Sequence, residues 1–284
     1  MSLRTLPEAK TFQRPQNFQW DAPSDVLAKW AGTPLAKASG DNSTISMFDV
    51  IGDDPWSGGG VTAKRISAAL RSIGEKDVTV QINSPGGDMF EGIAIYNMLR
   101  KHPAKVTVEV LGWAASAASI IAMAGDEIKM GLGSFMMVHN AWGVVIGNRH
   151  DLQDASELFE GFDNAIVDIY EARTSAKRDE IVKLMDAETF MGPSAALENG
   201  FADAIDDELS IDEGEAKNMD RSLMARRQTE AALARAGYSR NDRSELLNEM
   251  GIDKATPRDA SRKPAERDAG MNASIRKLIE TMKS

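Results

Sequence analysis

The chain of 284 residues contains no cysteine, only three histidines and three tyrosines, and 6% aromatic residues in all. Without cysteine there is no disulfide framework, no thiolate nucleophile and no zinc site with sulfur ligands, a composition that fits a reducing cytoplasm. A nucleophile must therefore be an oxygen. Long apolar runs are also missing: the most apolar stretch, Trp113–Ala124, contains two serines and falls well short of the ~20 residues that span a bilayer. No membrane partner is expected. Met1–Gln19 mixes Arg4, Glu8, Lys10 and Arg14 without an apolar stretch of signal-peptide length, so export is not indicated. Nor is there an excess of cations. The net charge of −10 argues against a general nucleic-acid binder, which needs positive charge to displace counterions from phosphates.

What is present is ordinary globular material: 42% hydrophobic and 27% charged residues, in a length that suits one or two domains. Charge is unevenly placed, with −12 on residues 1–210 and +2 on residues 211–284, which marks a boundary. We expect three parts: an N-terminal arm over 1–40 carrying Phe12, Phe18, Trp20 and Trp30, a folded domain over 41–208, and a charged helical or partly disordered tail over 209–284.

Within 41–208 the hydrophobic pattern alternates between strand and helix. Ile45, Met47 and Val50–Ile51 read as a strand, and Ile66, Ala69, Leu70 and Ile73 form one helical face stopped by Gly74. Val78–Ile82 is a β-branched strand, and Phe90, Ile93, Ile95, Met98 and Leu99 mark a second helix. Val106–Val110 reads as a strand, Gly112–Gly125 as an apolar helix, and Glu127–Met130 and Phe135–Val138 as two short strands. The order predicts an α/β fold with a mostly parallel sheet covered by helices. After Gly147 a long stripe from Ala155 to Ile169 predicts a one-sided helix that needs a partner. Two short helices follow, around Ile181–Met185 and Pro193–Asn199, and the tail carries helical patterns over Ser222–Arg235 and Arg243–Met250 with a polar stretch, Lys254–Gly270.

In such folds ligands bind beyond the carboxyl ends of strands, and two of these ends carry unusual residues. Asn83-Ser84-Pro85-Gly86-Gly87-Asp88 places adjacent glycines between a strand and a helix. They suit a tight turn, and they also suit a backbone whose N–H groups hold a negative oxygen. Gly112-Trp113-Ala114-Ala115-Ser116-Ala117-Ala118-Ser119 puts small residues and a serine where a strand becomes a helix, either for close packing or to present Ser116 with the Ala117 N–H beside it. A serine nucleophile needs a base. His139 ends a strand, whereas His102 follows a helix and His150 opens one, so His139 is the candidate. Asp186 and Glu188 are the candidate carboxylates to orient its ring.

Taken in order, these segments resemble the proteolytic subunit of the Clp protease family, ClpP, and in particular relatives encoded by tailed phages and prophages that serve in head maturation. The resemblance covers roughly Ile45 to Asp206: Gln81–Asp88 is similar to the family's oxyanion loop, Gly112–Ser116 to its nucleophile turn, and Met137-Val138-His139-Asn140 to its histidine strand. Phe190–Asp203, with Glu198-Asn199-Gly200-Phe201-Ala202-Asp203, resembles the segment after the acidic residue.

The resemblance implies a serine endopeptidase with Ser116 as nucleophile, His139 as general base, and Ala117 with Gly86 or Gly87 as oxyanion donors. It places Glu188 where the family usually has Asp, with Asp186 as rival. It implies a ClpP/crotonase-like fold with a projecting handle helix over the Ala155–Ile169 stripe, assembly into heptameric rings, protein substrates such as capsid or scaffold proteins, and no cofactor. The sequence has no P-loop, so any ATPase unfoldase would be a separate chain. Two other classes share parts of the pattern: a crotonase-like acyl-CoA enzyme, which needs no serine–histidine pair, and a non-catalytic scaffold protein. A serine–lysine mechanism is disfavoured because the nearest downstream lysine, Lys129, sits within a strand.

Overall fold

The computed structural model describes residues 19–20, 24, 26–27, 43–53, 60–209 and 221–249. Most of the 1–40 arm, including Phe12, Phe18 and Trp30, and the polar stretch 254–270 lie outside the described residues.

The strands are β1 (Gln19–Trp20), β2 (Thr44–Met47), β3 (Val78–Ser84), β4 (Val106–Ala115), β5 (Glu127–Gly131), β6 (Phe135–Val138), β7 (Gly143–Val144), β8 (Thr189–Met191) and β9 (Ala204–Asp206). The helices are α1 (Ala63–Ile73), α2 (Met89–Arg100), α3 (Ala117–Ala122), α4 (Arg149–Thr174), α5 (Arg178–Asp186), α6 (Pro193–Glu198), α7 (Arg221–Arg235) and α8 (Arg240–Glu249). The main sheet runs β2-β3-β4-β5-β9, with β6 added to β4 and β8 to β6; every pairing in it is parallel except β6 with β8.

Its central strands read as continuous apolar runs because both faces are covered. Val80, Ile82, Val108, Val110, Ile128 and Met130 are fully buried and join one core with Ile93, Ile95, Leu99 and Ile121 from the covering helices. The alternation of strand and helix therefore gives the expected α/β class.

Helix starts are set by local chemistry. The Asp88 carboxylate accepts from the Phe90 and Glu91 N–H groups to begin α2, and Asn148 with Asp151 forms a capping box on α4. A buried ion pair joins the end of α2 to the sheet: Arg100 Nη1 lies 3.2 Å from Asp126 Oδ1, and Asp126 Oδ2 accepts from Val106 N–H at 2.9 Å.

Three expectations change. The apolar helix expected over Gly112–Gly125 is only α3, because β4 runs on through Ala115, where Trp113, Ala114 and Ala115 pair with Phe135, Met136 and Met137 of β6. Apolar residues that read as helix are strand residues buried between layers. The first strand ends at Met47, and Ile51 makes only isolated bridges to Val61 and Gly87. The short strands β8 and β9 were not anticipated, since three residues carry no readable period.

Val26, Leu27 and helix α7 pack on residues of the sheet region. Val26 is buried with Ala115 and Met137, while Leu27 packs with Val50 and Ala231 of α7 against Trp113. Arg227 of α7 is buried and donates from Nη2 to the Phe48 carbonyl at 3.0 Å. Burial lowers its guanidinium pKa to about 10, with Asp49 opposing the shift.

Candidate active site

The site forms where β3, β4 and β6 end side by side. Between Ile82 and Ser84 the β3–β4 register shifts, and Asn83 fills the irregularity, its Oδ1 accepting from Trp113 N–H at 3.2 Å. This brings the glycine loop onto the serine turn. Gly86 has φ +87 and Gly87 φ +142; a Cβ on Gly86 would stand 2.5 Å from the Ala115 carbonyl oxygen and 2.6 Å from Ser116 Cβ. Only glycine permits that approach.

Ser116 sits at φ 55 and ψ −125, a region that non-glycine residues rarely occupy and that clusters at functional sites. Its N–H donates to the Met137 carbonyl at 2.9 Å, so β6 holds the serine from the far side. Two residues beyond Met137 stands His139, buried, with Nε2 2.6 Å from Ser116 Oγ. In the neutral ring protonated at Nδ1, the hydroxyl donates to Nε2, which is the arrangement of a nucleophile beside its general base.

The other histidines sit elsewhere. The buried His102 donates from Nε2 to the Lys76 carbonyl at 2.7 Å, a structural contact, and His150 is exposed at the start of α4.

Of the two glycines, Gly86 donates its N–H to Ser84 Oγ at 3.2 Å, inside the loop. The N–H groups of Gly87 and Ala117 make no hydrogen bond among the described residues, and both residues line the cleft that holds Ser116 and His139. Those two N–H groups are the available pair for a developing oxyanion. Met89, Ile120, Ile166 and Trp142 give the cleft an apolar wall.

Two carboxylates clamp the chain just after the histidine. Asp186 Oδ1 accepts from Asn140 Nδ2 at 2.9 Å, and Asp163 Oδ1 of α4 accepts from Ala141 N–H at 2.6 Å. Burial raises the Asp163 pKa; the Ala141 hydrogen bond opposes that rise, and Asp186 and Glu160 add to it. Glu188 immediately precedes β8, its N–H donating to the Met185 carbonyl at 3.0 Å, and the antiparallel β6–β8 ladder begins at the next residue, where Thr189 pairs with Val138. Glu188 has φ 47, in the left-handed region.

Sequence reading missed two residues of the site. Ser119 and Tyr170 meet beneath Ser116, their oxygens 2.7 Å apart, and Ser119 Oγ donates to the Ser116 carbonyl at 2.6 Å. Ser119 looked like one more small residue in an apolar helix, and nothing in the sequence pairs it with a tyrosine 51 positions away. Among the described residues no cluster of three or more His, Cys, Asp or Glu suits a metal ion, and no helix is long and apolar enough to cross a membrane.

Comparison with known proteins bears on this geometry. A sequence model described as Clp protease matches residues 61–208. Over 142 residues the chain is 32% identical to the ATP-dependent Clp protease proteolytic subunit of Deinococcus radiodurans, covering 49% of this chain and 70% of that protein. It is 34% identical over 140 residues to the ATP-dependent Clp protease proteolytic subunit 4, chloroplastic, of Arabidopsis thaliana, spanning 48% of each. Among solved structures, a ClpP1 mutant from Listeria monocytogenes aligns with a TM-score of 0.50 at 20% identity, over 65% of this chain and 95% of that one. At that identity the likeness concerns the fold, which is ClpP-like.

Proposed function

The chain belongs to the Clp protease family, and from that premise we propose that it is a serine endopeptidase in which Ser116 and His139 carry out acyl transfer. The observation that carries the reading is the 2.6 Å contact between Ser116 Oγ and His139 Nε2 at the mouth of the apolar cleft. In this mechanism His139 takes the Ser116 proton as Oγ attacks the scissile carbonyl. The Gly87 and Ala117 N–H groups hold the oxyanion. The imidazolium then protonates the leaving amine, and water, activated by the same ring, releases the acyl group from Ser116. The wall of Met89, Ile120 and Ile166 suits an apolar side chain next to the cut bond.

Glu188 is the carboxylate we assign to orient the imidazole. Its place immediately before β8, which pairs with β6, supports it, and Asp186 is engaged with Asn140. A crotonase-like acyl-CoA chemistry would have no use for a serine–histidine hydrogen bond, so that contact weighs against it.

The biological setting is part of the proposal: processing of capsid or scaffold proteins during phage head maturation, inside heptameric rings, with any unfolding ATPase a separate chain. Hydrolysis of a fluorogenic peptide tests the chemistry. Ser116→Ala abolishes turnover, and Glu188→Gln lowers kcat far more than Asp186→Asn; full activity in Ser116→Ala overturns the mechanism. Co-expression with the head proteins of the same genome tests the setting, where cleavage dependent on Ser116 is expected. Intact head proteins beside an active peptidase would remove the maturation role.

A further inference from the structure

The strained pose of Ser116 raises the question of what holds it. The N–H is fixed by the Met137 carbonyl at 2.9 Å. The carbonyl is gripped from beneath by three donors: Ser119 N–H at 2.9 Å, Ile120 N–H at 3.3 Å and Ser119 Oγ at 2.6 Å. A serine hydroxyl has one proton, and a carbonyl can only accept, so the Ser119 proton points at Ser116. The 2.7 Å contact between Ser119 and Tyr170 then has one possible direction, with the Tyr170 hydroxyl donating to Ser119 Oγ. The result is a one-way chain, Tyr170 O–H to Ser119 O–H to Ser116 C=O.

The peptide unit joining Ser116 to Ala117 is planar and trans, so its C=O and N–H point in opposite directions. Pinning the carbonyl into the protein aims the Ala117 N–H outward, into the cleft that Ala117 lines. We propose that Ser119 and Tyr170 are positioning residues which, through the Ser116 carbonyl, orient the Ala117 N–H toward the oxyanion. The inference rests on the reading of Ser116 as nucleophile. Donation to the carbonyl also polarises the peptide and strengthens the N–H as a donor, because linked hydrogen bonds reinforce one another.

Surroundings and chemistry both favour this role. Ser119 is wholly buried and Tyr170 is 1% exposed, so no water competes for the chain. Burial also pushes the Tyr170 phenol well above its ordinary pKa, with the Ser119 hydrogen bond opposing the shift, which keeps it a neutral donor wherever the peptidase works. Tyr170 projects from α4, the helix whose Ile166 walls the same cleft. The long helix is thus tied to the reacting centre by a hydroxyl as well as by packing.

Kinetics of Ser119→Ala, Tyr170→Phe and the double variant test this, together with binding of a peptide aldehyde whose hemiacetal oxygen takes the oxyanion position. Complete loss of an oxyanion donor costs about 10²–10³ in kcat. A donor that is present but poorly aimed should cost less: about 10-fold for Ser119→Ala and about 3-fold for Tyr170→Phe, with KM unchanged. Aldehyde affinity should fall by the same factors. Because the two hydroxyls act in series, the double variant should be no slower than Ser119→Ala. Tyr170→Phe keeps the ring, so the test stands even if Ser119→Ala folds poorly.

Wild-type kcat and aldehyde affinity in folded Tyr170→Phe overturn the relay, as does a loss that appears in KM alone or multiplies in the double variant. Ser116→Ala separates the two readings. Hydrolysis that survives it removes the nucleophile assignment itself, whereas hydrolysis that needs Ser116 but ignores both hydroxyls removes only the relay.

Discussion

Replacing Gly86 by alanine probes the contact on which the site is built. A side chain at φ +87 costs about 1–2 kcal/mol in backbone strain alone. The added methyl would also stand 2.5 Å from the Ala115 carbonyl oxygen and 2.6 Å from Ser116 Cβ, closer than real Cβ contacts come. Those atoms cannot easily retreat, since Ala115 pairs with Met137 and the Ser116 N–H donates to the Met137 carbonyl. Overpacking of this kind adds about 1–3 kcal/mol, for a total of roughly 2–5 kcal/mol.

Relief comes from moving the glycine loop away from Ser116, which withdraws the Gly87 N–H and should slow acylation by about 10²–10³. Urea unfolding measures the first effect, and the labelling rate with a fluorophosphonate measures the second. Gly133→Ala is the control: at φ +78 with nothing within 4 Å of the new methyl, it should carry the backbone cost alone and label at the wild-type rate. If Gly86→Ala unfolds at the wild-type urea concentration and reacts as fast, the close approach of loop and turn is not what shapes the site.

Three further outcomes follow from contacts away from the dyad. Asp126→Ala strands the buried Arg100 guanidinium and leaves the Val106 N–H without its acceptor, and should cost about 3–5 kcal/mol in chemical denaturation; a loss under about 1 kcal/mol would mean the pair contributes little. Asp163 has a raised pKa, so the stability linked to its protonated form is present below the ordinary carboxylate range and is lost as pH rises through the raised value. Asp163→Asn keeps an acceptor for Ala141 N–H and should melt no lower than the parent near neutral pH, with any gain closing on acidification; a gain that widens in acid contradicts the assignment. Arg227→Ala removes the donor to the Phe48 carbonyl and should destabilise by about 1–3 kcal/mol in a thermal melt; an unchanged Tm would show that α7 rests on the body without that anchor.

Much of this architecture was legible in the sequence because its signals are local. Alternating β-branched runs and 3.6-residue stripes gave the α/β order, and Gly74, read as a helix stop, stands at the C-cap of α1. Ser116, His139 and the glycine pair could be singled out as candidates because strand ends and small-residue turns can be read along the chain, and the structure sets Ser116 Oγ 2.6 Å from His139 Nε2. What escaped depends on distance in sequence. The extension of β4 past Gly112 requires β6 as a partner, and apolar residues buried in a sheet look like those of a buried helix. The contact of α7 with Val50, Leu27 and Trp113 joins three distant segments, so a boundary drawn from charge could not reveal it. Asp186 and Glu188 stand two positions apart and could not be separated along the chain, because their placement relative to His139 depends on how β6 and β8 come together.

Active-site labelling mapped by peptide mass spectrometry asks whether Ser116 is a nucleophile activated by His139. A fluorophosphonate adduct is expected on Ser116 alone, absent in Ser116→Ala and slowed by about 10³-fold or more in His139→Ala. An adduct on another residue, or labelling of His139→Ala at the wild-type rate, would contradict it.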